Sequence, residues 1–184
     1  MNESVNSNTQ TIALSDNKDI EIRKARKEDA QDILNYLNII GGESENLTFG
    51  ENEFTTTLEQ QEQIIESTQN TPSAMFVGYI DNELVCTGKI AVIDRPRISH
   101  HGEVGITVLK KFWGLGIGRC LMDEIINFVK SETQLEMITL KVKSDNVRAI
   151  KLYKKLGFQE IGCYPRFFKV DKVYFDAVVM SVVL

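Results

Sequence analysis

The chain has 184 residues, 42% of them apolar and 26% charged, with a net charge of −5. These values suit one globular domain with a full core, and the negative charge argues against general nucleic-acid binding. Three cysteines, Cys86, Cys120 and Cys163, are an odd number at long spacings, which fits neither a disulfide framework nor a zinc site.

The first residues, MNESVNSNTQTIALSDN, lack the basic start and apolar core of a signal peptide. No apolar run approaches the length of a membrane span. Residues 1–17 are expected to be a flexible tail, ahead of one domain at 18–184 in a cytoplasmic protein. Ile20 and Ile22 alternate with charges and predict a first strand. Glu28 and Asp29 open a helix, Ile33, Leu34, Leu37 and Ile40 form its stripe, and Gly41-Gly42 is expected to end it. An acidic loop follows at 43–55, with Leu47, Phe49 and Phe54 inserted as if to shape a pocket wall. Thr56-x-x-Glu59 and Thr57-x-x-Gln60 are capping-box patterns that start a second helix.

Residues 74–80 and 84–93 predict a hairpin around Asp81-Asn82-Glu83, and 99–109 a further strand. Ile117, Leu121, Ile125 and Phe128 then mark an amphipathic helix. Between strand and helix stand Gly114, Gly116 and Gly118. A glycine turn that opens a helix is a natural cradle for a phosphate or pyrophosphate. No Lys-Ser or Lys-Thr follows, so this is not a P-loop, and G-x-G-x-x-G is not completed from either Gly114 or Gly116. A coenzyme A loop and a plain packing turn remain. Residues 1–70 hold 5 Lys and Arg against 14 Asp and Glu, whereas residues 71–184 hold 16 against 12, so the glycine loop lies in the basic part. A strand at 136–142, a short helix at 149–156 and two strands at 159–167 and 173–183 finish the chain. The class is α/β or α+β with a mixed sheet. His100 and His101 are adjacent, point to opposite faces of a strand and make a poor metal pair, so no metal is expected.

Two stretches together carry a resemblance. Phe112-Trp113-Gly114-Leu115-Gly116-Ile117-Gly118 and Asn146-Val147-Arg148-Ala149-Ile150-Lys151-Leu152-Tyr153-Lys154-Lys155-Leu156-Gly157-Phe158 resemble the two cofactor motifs of the GNAT superfamily of N-acetyltransferases. Ile22-Arg23-Lys24-Ala25 with Glu28-Asp29-Ala30 resembles that family's opening, and the likeness covers about residues 19–184. It departs at Trp113, where the family commonly has Gln or Arg. The resemblance implies a single domain with a mixed, largely antiparallel sheet of about six to seven strands and about four helices. It implies acetyl-CoA as co-substrate. Amides of Leu115, Gly116, Ile117, Gly118 and Arg119 would hold the pyrophosphate, and Ile106 and Val108 would lie on a splayed strand facing the thioester. Asn146 would touch the cofactor, although a plain helix cap explains it equally well. Tyr153 would protonate the departing thiolate, and Glu103 would take the acceptor's proton.

The function this implies is acetyl transfer to a primary amine by direct attack in a ternary complex. The acids at Glu43, Glu45, Glu51 and Glu53 point to a small cationic metabolite. A protein N-terminus of the ribosomal-protein type is the alternative acceptor, and a non-catalytic acyl-CoA-binding module the alternative function. Neither nucleic acid nor membrane is expected as a partner, and exposed strand edges leave room for a homodimer.

Overall fold

The computed structural model describes residues 10–14 and 18–184. Most of the expected tail lies outside these residues, but Gln10–Ala13 forms strand β1, antiparallel to β2 (Asp19–Lys24) with Gln10 opposite Ile22. Ile12 and Leu14 pack onto the core, which gives this polar stretch its reason to order. The chain continues as α1 (Ala30–Glu43), α2 (Leu58–Ser67), β3 (Ala74–Ile80), β4 (Glu83–Val92), β5 (His101–Val108), α3 (Ile117–Glu132), β6 (Met137–Lys143), α4 (Val147–Lys155), β7 (Gln159–Val170) and β8 (Val173–Val183). The strands form one eight-stranded sheet in the order β1-β2-β3-β4-β5-β6-β8-β7. Among the described residues only β5 and β6 are parallel neighbours. The sheet has one strand more than expected, and β1 supplies it. No helix among the described residues is long and apolar enough to cross a membrane.

Helix α3 covers one face. It buries Ile117, Leu121, Met122, Ile125, Phe128 and Val129, the predicted stripe and its neighbours. Gly88 on β4 lets it approach, because a Cβ there would lie 2.8 Å from Ile125 Cδ1. Helices α1 and α2 cover the other face: Tyr36 of α1 reaches Thr107 of β5, and Gln61 of α2 reaches Met75 of β3. The second capping box forms, with Thr57 and Gln60 exchanging bonds of 3.2 and 2.9 Å.

Two local expectations give way to contacts from distant parts of the chain. Helix α1 does not stop at Gly41-Gly42 but runs through it to Glu43. Gly41 serves close approach instead, since a Cβ there would collide with the carbonyl of Gly50 in the 43–55 loop. The rings of His100 and His101 do not diverge; their centroids are 4.0 Å apart. His100 lies in the turn before β5, where strand alternation does not yet apply.

A buried ionic cluster fixes the start of α1. The Arg23 guanidinium donates to both carboxylate oxygens of Asp29 at 2.7 and 2.8 Å. The Arg26 N–H and the Tyr79 hydroxyl donate to the same carboxylate at 2.7 and 3.1 Å.

Candidate active site

The sheet opens at its centre. Strands β5 and β6 pair only from His101 to Glu103 against Met137 to Thr139. Beyond that β5 stays with β4 as far as Val108, and β6 stays with β8 as far as Lys143. The Leu109 N–H donates to the Val85 carbonyl at 3.0 Å, which fixes the parity of the β4–β5 ladder. Alternation then turns the amides of Ile106 and Val108 away from β4 and into the gap. The Val108 carbonyl accepts the indole N–H of Trp113 at 2.7 Å. Trp113, the departure from the family pattern, thus ties the glycine loop to the end of β5. The Arg148 guanidinium stands 5.2 Å from the centre of its ring.

The loop meets the gap at the start of α3. Gly114 and Gly116 have φ of 94° and 91°, in the region that side chains disfavour. Gly116 is the N-cap, with no side chain closing the helix end. Gly118 serves packing: a Cβ there would lie 3.4 Å from Leu152, 3.6 Å from Ile106 and 3.9 Å from Val108 side-chain atoms. Loop, splayed strand and α4 therefore converge on one point. The Arg119 N–H already donates to the Gly116 carbonyl at 2.9 Å, as does that of Cys120 at 3.1 Å. This narrows the amides available to a ligand to those of Leu115, Gly116, Ile117 and Gly118.

The Arg119 side chain instead lines a groove of about 620 Å³ with Val147, Arg148, Lys151, Leu152 and Lys155. Sequence reasoning missed this basic wall. Its signal was present, because 148, 151 and 155 are spaced to share one face of α4. Asn146 caps α4, its side-chain oxygen accepting the Ala149 N–H at 3.2 Å. Tyr153 is buried to 8% exposure, and burial pushes its pKa up to about 12. Its hydroxyl bonds to no described side chain, and no buried side-chain oxygen among the described residues lacks a partner. The hydroxyl is therefore not sealed inside the core.

Glu103 lies on the opposite, α1–α2 face of the sheet. No register shift interrupts β5, so Glu103, Gly105 and Thr107 share that face. A Cβ on Gly105 would meet nothing within 4 Å, so the surface beside Glu103 is open. Both Glu103 oxygens accept from Lys141 Nζ at 2.7 Å. With the two side chains 55% and 30% exposed, such a pair adds only about 0–1 kcal/mol to stability. Thr107 bonds Tyr36 and Thr87 at 2.8 and 2.9 Å, and burial pushes the Tyr36 hydroxyl far above its ordinary pKa. The acidic loop spends two of its glutamates internally. Glu43 accepts the Lys110 N–H and Glu53 the Gly50 N–H, each at 2.8 Å. Phe49 and Phe54 pack edge to face at 4.6 Å.

The sequence model of the acetyltransferase (GNAT) family matches residues 43–158, which include both glycine loop and α4. The chain belongs to this family. Among curated relatives of this GNAT chain, an L-amino acid N-acetyltransferase, AaaT, of Escherichia coli K12 is 36% identical over 106 residues, covering 58% of this chain and 65% of that protein. An N-alpha-acetyltransferase of Sulfurisphaera tokodaii is 32% identical over 105 residues, covering 53% and 63%. The GNAT chain thus spans just under two thirds of the length of these relatives. A GNAT acetyltransferase of Streptococcus pneumoniae superposes with a TM-score of 0.87 at 23% identity, over 90% of this chain and 99% of that one. The yncA protein of Salmonella typhimurium, solved with acetyl-CoA, superposes with a TM-score of 0.79 at 18% identity, over 90% and 94%. At these identities the two structures establish the GNAT fold.

Proposed function

We propose that the chain is an acetyl-CoA-dependent N-acetyltransferase that transfers to a primary amine directly, in a ternary complex. The observation that carries this is the convergence at Gly118 of glycine loop, splayed β5 and α4. The residues fit the co-substrate. Free amides at the start of α3 and its positive dipole end suit a pyrophosphate. The Arg119, Arg148, Lys151 and Lys155 groove suits a further phosphate. The β5–β6 gap accepts an extended arm that bonds to strand backbone.

Acetyl-CoA supplies the activated acetyl group; the chain supplies position, charge and proton acceptors. The amides of Ile106 and Val108 face the carbonyl oxygen as it gains charge, a contribution worth several kcal/mol. Glu103 takes the proton that keeps the acceptor unreactive. An alkylammonium of pKa ~10.4 costs about 4.6 kcal/mol to hold as free amine at pH 7, so a base is needed. Tyr153 donates towards the sulfur as the carbon–sulfur bond breaks. The acceptor nitrogen loses two protons in all: one goes to Glu103, and the other replaces the one Tyr153 gives up.

Internal use of Glu43 and Glu53 weakens the case for a cationic metabolite. The names of the Escherichia coli and Sulfurisphaera relatives, an amino acid and an N-terminal acetyltransferase, support an α-amine. The test is release of coenzyme A from acetyl-CoA with amino acids, N-terminal peptides and polyamines. Release above the acceptor-free rate with an α-amine is expected. Tight acetyl-CoA binding without release for any amine would leave the binding-module alternative.

A further inference from the structure

Both relatives' acceptors carry an α-amine, but they differ next to it. A free amino acid has a carboxylate there, and a peptide N-terminus has a neutral amide. We propose that Lys141 reads this difference, and that the acceptor is a zwitterion carrying a free carboxylate beside its amine. The inference rests on the acetyltransferase reading and deepens it.

The argument begins with Glu103. As a base it has to meet the acceptor's ammonium, yet both its oxygens are held by Lys141 at 2.7 Å. The pair is formed by geometry special to this site. Glu103 ends the short parallel ladder opposite Thr139, and Lys141 is the next residue of β6 on the same face. It therefore stands at the mouth of the gap, just where β5 leaves β6. The pair presents one cation and one anion side by side, beside the open surface over Gly105. A zwitterion presents the same two charges in the opposite sense. Its carboxylate replaces Glu103 on Lys141, and its ammonium replaces Lys141 on Glu103. Two ion pairs form for the one that opens, and the exposed original is easily opened.

The exchange also frees the base when the acceptor arrives. An adjacent carboxylate normally strengthens an ammonium's hold on its proton, and Lys141 bound to that carboxylate weakens it again. A peptide N-terminus or a polyamine brings no carboxylate, so Lys141 stays on Glu103 and opposes a second cation. The Phe167 ring, 6.0 Å from Lys141 Nζ and 5.0 Å from Tyr164, gives the same spot an apolar border. An apolar amino acid is therefore the first acceptor to try.

The experiment compares leucine, leucinamide and a leucyl peptide at equal free-amine concentration, in wild type, Lys141→Met and Lys141→Arg. Coenzyme A release gives kcat/KM, and acetyl-CoA affinity serves as the folding control. Wild type is expected to favour leucine over leucinamide by about 10- to 100-fold. Lys141→Met should erase that ratio by lowering leucine while leucinamide holds or rises, and Lys141→Arg should restore most of it. Equal use of leucine and leucinamide by wild type, preference for the peptide, or an equal loss for both acceptors in Lys141→Met overturns the inference and leaves the acetyltransferase reading standing. Failure of every amine while acetyl-CoA binds overturns that reading, and this inference with it.

Discussion

Replacing Tyr153 by phenylalanine is expected to lower kcat by about 100-fold or more while leaving acetyl-CoA affinity nearly unchanged. The ring stays, so the contact with Phe158, at 5.8 Å between centroids, is kept. Only a hydroxyl with no side-chain partner among the described residues is lost. Burial raises its pKa to about 12, above the ordinary phenol value of about 10. Against a thiol of pKa ~8.5 that gap is worth about 5 kcal/mol, so in the proposed mechanism Tyr153 would act as a hydrogen-bond donor to the developing thiolate and complete transfer only as another proton replaced its own. The direction of the shift has a second consequence. A phenol with a raised pKa keeps its proton until pH rises through that value. The rate should therefore show no alkaline fall from Tyr153 below about pH 10. Steady-state kinetics of wild type and variant across pH check both statements.

Replacing Asp29 by alanine is expected to destabilise the fold by about 3 kcal/mol, because it leaves Arg23, only 14% exposed, with the half-exposed Glu21 carboxylate at 3.4 Å as its remaining ionic partner. The carboxylate also accepts from the Arg26 N–H and Tyr79. Burial alone would raise its pKa, but the Arg23 hydrogen bond, the Arg26 N–H and the Arg23 charge outweigh it, so the net shift is downward. A lowered pKa means stability that is fully present above the unfolded value, about pH 4, and lost as pH falls through the folded one. Denaturant midpoints should show that acid loss in wild type and not in Asp29→Asn. Activity suffers with stability, since this cluster anchors the helix that holds Tyr36 against Thr107 in the splayed strand.

What could be read in the chain beforehand was local. Glycine chemistry put a phosphate cradle at the turn of Gly114 and Gly116, and both glycines have positive φ. The Thr57 cap follows from a short-range rule that tertiary contacts did not disturb. What escaped was set by distant partners. Ile12 and Leu14 are two apolar residues in a run of Asn, Ser and Thr, and only the edge of β2 makes them a strand. Gly41 reads as a helix stop until Gly50 is found against it. Lys141 is an unremarked residue of an alternating strand until the parallel register sets it beside Glu103. The opening of the sheet was expected from family likeness alone, because no pattern within β5 marks where its neighbour departs.

The central claim is that acetyl-CoA lies from the β5–β6 gap to the start of α3. Amide hydrogen exchange with and without acetyl-CoA tests it most directly. The amides of Ile106, Val108, Leu115, Gly116, Ile117 and Gly118 should gain protection together, with those of β1 and β7 unchanged. Saturating acetyl-CoA that leaves these six amides exchanging freely, or that protects another surface instead, would contradict the account.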